Sequence, residues 1–257
     1  MSTPPPIAAP VDPNAPSKAG LSEPQRIIDT FIAPRKTFED LKRNSSWWVP
    51  WLLSAIFTLA FSVVAVQKLD MTDVVRKNIE RSKLAQRQME SLSPEQRERA
   101  IVQQGAVTKV FFFIAPVVGI LAGLIVAAVL MGVFNFGFAS EVSYGRSLAI
   151  VFYSFLPGII WSVLMIVSLL VSSDLSNFDL NNPVATNLGF FMDPMGNKFL
   201  YSLASRLDGI SIWIAVLMGI GFSTCSAKKL SPGTGITAVL ATYGVFSLIR
   251  AALAAAF

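Results

Sequence analysis

Arg250 and Asp208 are positions in this sequence whose residue type and surroundings could support chemistry. Arg250 lies inside the last apolar stretch, and Asp208 follows Arg206 at the start of the stretch before it. Ionisable groups in a lipid-embedded segment are costly and either serve a function or reach the interface. Given a helical rise of about 1.5 Å per residue and a long guanidinium stem, we expect Arg250 to come within reach of Asp208. The pair would line a polar cavity or a lipid-headgroup site; alternatively, Arg250 snorkels to the interface or holds two helices together.

Pro157 is a third such position, because it interrupts an apolar stretch beside Ser154 and Gly158. Proline lacks the backbone N–H of a helix interior, so we expect a freed carbonyl group and a kink in the helix. This kink would either shape a cavity or simply improve packing between helices.

The composition excludes several classes of site. The 257 residues include no His and a single Cys, Cys225, which excludes a His-dependent triad, a His-ligated metal and an internal disulfide. The sequence has no nucleophile elbow or phosphate-binding loop, and Gly219-Ile220-Gly221 lacks the third glycine of a dinucleotide fingerprint. We therefore predict no catalytic residue, no cofactor and no metal site, and the chain is not expected to be an enzyme.

The hydropathy of the chain predicts its fold class. Apolar residues make up 53% of the sequence, and the mean hydropathy is +0.57, which is typical of a polytopic membrane protein. A membrane-spanning helix needs about 20 predominantly apolar residues. Stretches of this kind cover residues 49–67, 110–138, 148–171, 209–224 and 235–257. The predicted fold is all-α: a polytopic membrane helix bundle with five transmembrane helices and a small charged extramembrane helical hairpin.

The amino-terminal region divides into a tail and an amphipathic segment. Residues 1–21 are rich in proline and are expected to be disordered. Residues 22–46 predict short amphipathic interfacial helices, the first capped by Ser22 and ended by Pro34, the second capped by Thr37. Phe38 and Leu41 would dip among acyl chains at the membrane surface, or the segment packs on protein instead. The candidate lipid-surface contacts are Arg35, Lys36, Lys42, Arg43, Trp47 and Trp48.

Residues 47–257 form the predicted membrane domain, which includes two larger connections. Residues 68–109 are strongly charged and predict a hairpin of two helices, the second of which begins at Ser93 with a capping box and continues into the second span. Residues 172–208 predict a membrane-surface loop that packs on the bundle. In that loop, Asn182-Pro183 and Asp193-Pro194 would each start a short helix. The loop has an acidic excess, carried by Asp174, Asp179, Asp193 and Asp208.

Small and polar residues in the second span predict close helix contacts. Gly119 and Gly123 form a small-xxx-small pair, which lets a neighbouring helix approach either within the chain or between protomers. Asn135, near the end of the same span, is expected to make an interhelical hydrogen bond.

The distribution of basic residues predicts the orientation. The charged hairpin of residues 68–109 is set aside, because a folded unit is translocated regardless of its charge. The remaining basic residues, in the amino-terminal segment and at Arg146, Lys228 and Lys229, would then share one side, whereas the acidic loop takes the other. Basic residues near span ends favour the cytoplasmic side, so the amino terminus is expected to be cytoplasmic. An odd number of crossings would then place Phe257 on the opposite side.

Several short motifs stand in a particular order along the chain. They are Phe31-Ile32-Ala33-Pro34 before a Trp-rich first span, Ser143-Tyr144-Gly145-Arg146-Ser147, Val151-Phe152-Tyr153-Ser154-Phe155-Leu156-Pro157, Leu207-Asp208-Gly209-Ile210-Ser211-Ile212-Trp213, and Gly219, Gly221 and Phe222. In this order they resemble the Yip membrane family and in particular its bacterial members. The eukaryotic members interact with Rab-type GTPases. The resemblance covers roughly residues 27–257 and implies a five-span bundle with a cytoplasmic amino terminus, a role in membrane organisation or trafficking, and no catalytic residues.

Two functions are compatible with these features. The first is a non-catalytic integral membrane protein that organises the bilayer or partner proteins, located in a bacterial inner membrane. The second is a small transporter or channel with a polar path near Arg250 and Asp208. The predicted partners are anionic lipid headgroups and a protein bound through the amino-terminal segment. A homo-oligomer is compatible with the sequence, and no nucleic-acid partner is expected.

Overall fold

The computed structural model describes residues 20–173, 175, 178–180 and 182–256. The predictions for residues 1–19, for Asp174 and for Phe257 lie outside this part of the chain. Within it the secondary structure is helical, with a single short 3-10 helix at Leu188–Phe191. The α-helices are α1 (Glu23–Ile32), α2 (Pro34–Asp40), α3 (Trp48–Lys68), α4 (Met71–Arg81), α5 (Lys83–Glu90), α6 (Pro94–Phe138), α7 (Tyr144–Ser154), α8 (Gly158–Val171), α9 (Lys198–Arg206), α10 (Gly209–Cys225) and α11 (Pro232–Ala256).

The long apolar helices confirm the predicted fold class. In the described ranges, four helical segments are long and apolar enough to cross a membrane: α3, α6, α7 together with α8, and α11. The fifth predicted crossing corresponds to α10, which has 17 residues and is therefore about 25 Å long, shorter than the others. The chain is an all-α polytopic membrane bundle.

Helix α6 confirms that the charged hairpin continues into the second span. It begins with the predicted capping box: the Ser93 hydroxyl accepts from the Gln96 N–H, and the Gln96 side chain accepts from the Ser93 N–H. It then runs for 45 residues without interruption, about 67 Å. The first predicted helix of the hairpin is instead divided into α4 and α5. The break lies at Ser82, whose hydroxyl caps α5 by accepting from the Ala85 N–H.

Two predicted helix starts in the surface loop are wrong. Neither Asn182-Pro183 nor Asp193-Pro194 begins a helix; the actual caps are Asn187, before the 3-10 helix, and Asn197, before α9. Asp193 Oδ1 accepts from the Met195 N–H and closes a turn. Asx-Pro pairs stabilise turns as readily as helix starts, so the pattern alone does not separate the two structures.

Two other local predictions are also corrected. Thr37 lies inside α2, which begins at Pro34, and does not cap it. Asn135 bonds to the α6–α7 connection and not to another helix: its amide donates to the Val142 carbonyl and accepts from the Val142 N–H, both at 2.9 Å. A side chain near a helix end can satisfy the adjacent loop, and this removes the need for an interhelical partner.

The third span is broken at Pro157. Helix α7 ends at Ser154 and α8 begins at Gly158. The backbone passes through the break with tight hydrogen bonds from Leu156 to Tyr153 and from Gly158 to Phe155. These bonds partly replace the α-helical bonds that proline prevents.

Helix α7 forms the centre of the bundle, with all residues from Ser147 to Ser154 buried. Helix α10 approaches it closely because Gly221 has no side chain: a Cβ there would lie 2.5 Å from Ile150 Cγ2. On the other side of α7, a Cβ at Gly123 would lie 2.6 Å from Phe152, whereas Gly119 has no neighbour within 4 Å. The small residue at Gly123 therefore serves packing within the chain, as one of the two predicted alternatives has it.

The connections gather at two ends of the bundle. At one end, Arg146 Nη2 lies 3.4 Å from the Lys42 carbonyl, and the Ala227 N–H donates to the Ser140 carbonyl at 2.8 Å. This end therefore contains the amino-terminal pair and the connections α6–α7 and α10–α11. At the other end, Arg81 in the charged hairpin pairs with Asp179 in the surface loop at 2.7 Å.

Candidate functional site

A buried ionic cluster holds the pair α1–α2 on the bundle. Arg26 is only 1% exposed, and its guanidinium binds Asp40 through Nε at 2.7 Å and Glu23 through Nη1 at 2.9 Å. The Tyr153 hydroxyl, on α7, donates to Glu23 Oε2 at 2.5 Å. We call Glu23, Arg26, Asp40 and Tyr153 the Arg26 cluster. Two carboxylates from the amino-terminal pair thus surround one cation, and α7 supplies the fourth member.

The Arg26 cluster keeps its charges. Burial by itself would lower the pKa of Arg26, but its hydrogen bonds to Tyr153 and Asp40 outweigh this effect and raise the pKa. Burial would likewise raise the pKa of Asp40, but the hydrogen bond and positive charge of Arg26 lower it below 3.8. The Thr30 and Thr37 hydroxyls both donate to the Arg26 carbonyl, at 2.7 and 2.9 Å. The polar atoms at this junction are therefore partnered across α1 and α2.

The apolar side of α2 packs on protein, which corrects the expectation that it dips among acyl chains. Phe38 and Leu41 have no exposed surface and belong to the core formed with α7 and α10. The Cys225 thiol donates to the Phe38 carbonyl. The apolar side chains that α1 leaves exposed are Ile28 and Ile32.

The predicted lipid-surface residues divide into outer and inner groups. Arg35, Lys36, Lys42 and Arg43 are exposed, as is Trp48. Arg35 pairs with Glu39, and Arg43 pairs with Asp40. Trp47 is only partly exposed, because it stacks on the Phe152 ring with 5.1 Å between centroids.

A second cluster of polar groups surrounds a cavity of about 420 Å³ beside the broken third span, which we call the polar cavity. It is formed by the first turns of α8 and α10, the end of α9, the loop before the 3-10 helix, and α11. The structure thus brings together Arg206, Asp208 and Gly158, the residue after Pro157. The lining residues are Gly158, Trp161, Asn182, Pro183, Asn187, Ser205, Arg206, Asp208, Ile210, Ser211, Ile214 and Tyr243.

Arg250 does not reach this cavity. It is exposed, and in the described part of the chain it forms no ion pair with Asp208. The contacts to α9 come from earlier turns of α11: the Tyr243 hydroxyl donates to the Arg206 carbonyl at 2.7 Å, and the Phe246 ring lies 5.8 Å from the Arg206 guanidinium carbon. The predicted buried pair is therefore absent, because Arg250 lies one turn beyond Phe246.

Asp208 has a structural role at the edge of the polar cavity. It is 7% exposed and caps α10, with Oδ1 accepting from the Ser211 N–H at 2.8 Å. The neighbouring Gly209 N–H donates to the Thr186 carbonyl, and the Asn187 amide donates to Asn182 Oδ1. These bonds hold the loop against the start of α10.

Two apolar clefts adjoin the polar cavity. One, of about 560 Å³, lies among α3, α6 and α8 and shares Gly158, Trp161 and Ile214 with the cavity. The other, of about 360 Å³, lies among α6, α10 and α11 and shares Ser211, Ile214 and Tyr243 with it. A charged chamber next to two apolar clefts can accommodate a molecule with a polar end and apolar chains.

Sequence reasoning missed the Arg26 cluster. The local signal was present, because Glu23 and Arg26 stand three residues apart on one helix face. The decisive partner, Tyr153, is 130 residues away from Glu23 along the chain, and no spacing rule links the two.

The long apolar helices that enclose these polar sites define an integral, multi-pass, α-helical membrane protein. A family model, the Yip1 domain, matches residues 28–251, and the chain belongs to this family. No curated protein and no solved structure matches it.

Proposed function

We propose that this protein is a non-catalytic organiser of the bilayer or of partner proteins and that α1–α2 is its docking surface. The observation that carries the proposal is the Arg26 cluster. It fixes the amino-terminal pair on α7 and leaves Arg35, Lys36 and Lys42 exposed around it. A rigid basic surface at a membrane attracts anionic headgroups or acidic protein segments with little ordering cost.

The proposal includes a location in a bacterial inner membrane with a cytoplasmic amino terminus. Lys42 and Arg146 stand together at one end of the bundle, and Lys228 and Lys229 are exposed in the α10–α11 connection at that same end. Such clusters of basic residues favour the cytoplasmic side.

Photo-crosslinking in native membranes tests the docking surface. A photoreactive residue placed at Lys36 should capture a discrete protein or an anionic lipid. In a second experiment the photoreactive residue is placed at Arg35, and the double substitution Lys36→Glu with Lys42→Glu should abolish its adducts. Deleting residues 1–44 is a poorer test because it also removes Phe38 and Leu41 from the core. The matched control is Lys83→Glu with Arg87→Glu, two exposed basic residues on α5. Equal adducts in all variants would refute the proposal.

A small transporter is the second candidate, favoured by the broken third span beside the polar cavity. Discontinuous membrane helices often form substrate sites near their break. The path would pass Arg206 and Asp208 but not Arg250. Solute flux through purified protein in liposomes, lost in Asp208→Asn and retained in Arg250→Ala, would support this candidate. Absence of flux through the wild-type protein would contradict the transporter and leave the organiser as the proposed function.

A further inference from the structure

Arg206 and Asp208 line the same polar cavity without pairing with each other. Within the described chain, the Arg206 guanidinium has no carboxylate partner and lies over the Phe246 ring. Asp208 uses Oδ1 to cap α10, and its Oδ2 accepts no hydrogen bond from a described residue. A largely buried carboxylate without a cationic partner is costly. The cavity therefore presents one positive and one negative group, each with capacity for a ligand.

The positive charge for an anionic part of the ligand comes from Arg206. Ser205 also lines the cavity but offers no free hydroxyl there, because its Oγ is buried against Gly189, where a Cβ would lie 2.1 Å from it. The starts of α8 and α10 offer little free positive charge, because the first N–H groups of α8 are bonded to carbonyls at the Pro157 break and α10 is capped by Asp208. A phosphate group is therefore favoured by Arg206, whose planar guanidinium can donate two hydrogen bonds to it.

The apolar clefts restrict the ligand to an amphiphile. Each cleft shares three residues with the polar cavity, and Ile214 lines all three spaces. A small hydrophilic ion would leave both clefts unfilled, and a hydrocarbon would leave Arg206 and Asp208 unpaired.

We propose that the polar cavity binds the phosphoethanolamine headgroup of a diacyl phospholipid. The phosphate lies at Arg206, the ammonium donates to Asp208, and the acyl chains occupy the clefts. The primary ammonium supplies N–H donors for the carboxylate. A trimethylammonium headgroup has no such donor, and a glycerol headgroup has no cation. This site lies apart from the Arg26 cluster and does not depend on the proposed docking function.

Native mass spectrometry of the full chain tests the site. The purified protein is equilibrated in micelles containing equal amounts of phosphatidylethanolamine, phosphatidylglycerol and phosphatidylcholine of the same chain length. The wild-type protein should retain phosphatidylethanolamine selectively. Arg206→Gln should reduce that retention by about tenfold or more, the loss expected when a charge-assisted hydrogen bond is removed. Arg250→Gln, which removes an equal charge from an exposed site outside the cavity, should change nothing.

Asp208→Asn separates the lipid role of this residue from its structural role. Asparagine caps a helix as well as aspartate does, so α10 should remain folded, which a thermal melt checks. The preference for ethanolamine over choline and glycerol headgroups should disappear in this variant. An unchanged preference would overturn the assignment of Asp208.

Two other outcomes would overturn the proposal. Equal retention of the three lipids by the wild-type protein would exclude headgroup recognition. Binding of soluble phosphoethanolamine as tight as that of the lipid would show that the clefts contribute nothing and that the ligand is not an amphiphile. Neither result affects the docking surface, whose variants at Lys36 and Lys42 lie on α2 and after it and leave the polar cavity unchanged.

Discussion

Arg26 keeps its charge although almost none of its surface is exposed, because Asp40 and Glu23 bind it on two sides. Ion pairs of this kind are costly to assemble and more costly to break. Once a partner is removed, the remaining charges are buried without compensation. The Arg26 cluster is therefore the place where single substitutions should have the largest effect on the amino-terminal pair.

Replacing Arg26 with Met should destabilise the protein by about 3 kcal/mol, since Asp40 and Glu23 would lose their common cation. Unfolding of the purified protein by a denaturing detergent measures the change. Arg35→Met is the control: this residue also pairs with a carboxylate, Glu39, but at the surface, where the loss should be small. Similar losses in the two variants would contradict the special role of Arg26.

Asp40 should make the attachment of α1–α2 sensitive to acid. Its pKa is lowered in the folded protein from an ordinary value of 3.8, so its contribution to stability is complete above about pH 3.8 and is lost as the pH falls through the folded pKa. Relative to the intrinsic exchange rate at each pH, the protection of the α1 amides against hydrogen exchange should fall over that acidic range but not between pH 5 and pH 7. In Asp40→Asn the acid-dependent step should be absent, and exchange should already be faster at pH 7.

Close approach of helices decides the packing at the scale of elements. Helix α10 lies against α7 and α2 through Gly221, and against α11 through Gly219, where a Cβ would lie 2.4 Å from Ile236 Cα. At Gly219 the nearest atoms belong to the backbone of α11, so side-chain rearrangement could not relieve the contact. Larger side chains must therefore separate the helices.

Gly221→Ala should cost about 1–3 kcal/mol, because the new methyl group would press on Ile150 and Phe38. The same unfolding assay measures it, and protease cleavage in α2 should increase. Gly119→Ala is the matched control within α6, where a Cβ meets no atom within 4 Å. A stability loss at Gly119 equal to that at Gly221 would contradict helix separation as the cause, because alanine has the higher helix propensity and a Cβ at Gly119 meets no neighbour.

The arrangement of the two ends is a property of the whole molecule. The amino-terminal pair and the α10–α11 connection share one end, whereas the charged hairpin and the surface loop meet at the other through Arg81 and Asp179. Helix α10 is short but connects the two ends. Successive membrane helices therefore run in alternating directions along the whole chain.

Cysteine labelling should reveal this two-ended arrangement. Cys225 is buried, and Cys225→Ala provides a background without thiols. Single cysteines at Lys42 and Lys229 should react with an impermeant maleimide from the same side of sealed vesicles, the cytoplasmic side, and a cysteine at Lys83 only from the opposite side. Labelling of all three from one side would refute the topology, and labelling of Lys42 and Lys229 from the side opposite the cytoplasm would refute the orientation.

The sequence by itself determined the long helices of this protein, because a local pattern specifies them: the Ser93 capping box and the apolar stretches each occupy a continuous run of residues. It also showed that Arg206, Asp208 and Pro157 are unusual for their setting. Only the tertiary structure decided how these groups are partnered. It joined Glu23 to Tyr153, opened a cavity between Arg206 and Asp208, and left Arg250 outside it. Such pairings depend on how helices that are distant in the sequence are rotated and offset against each other. A shift of one helical turn is enough to place a residue at the surface instead of beside a partner.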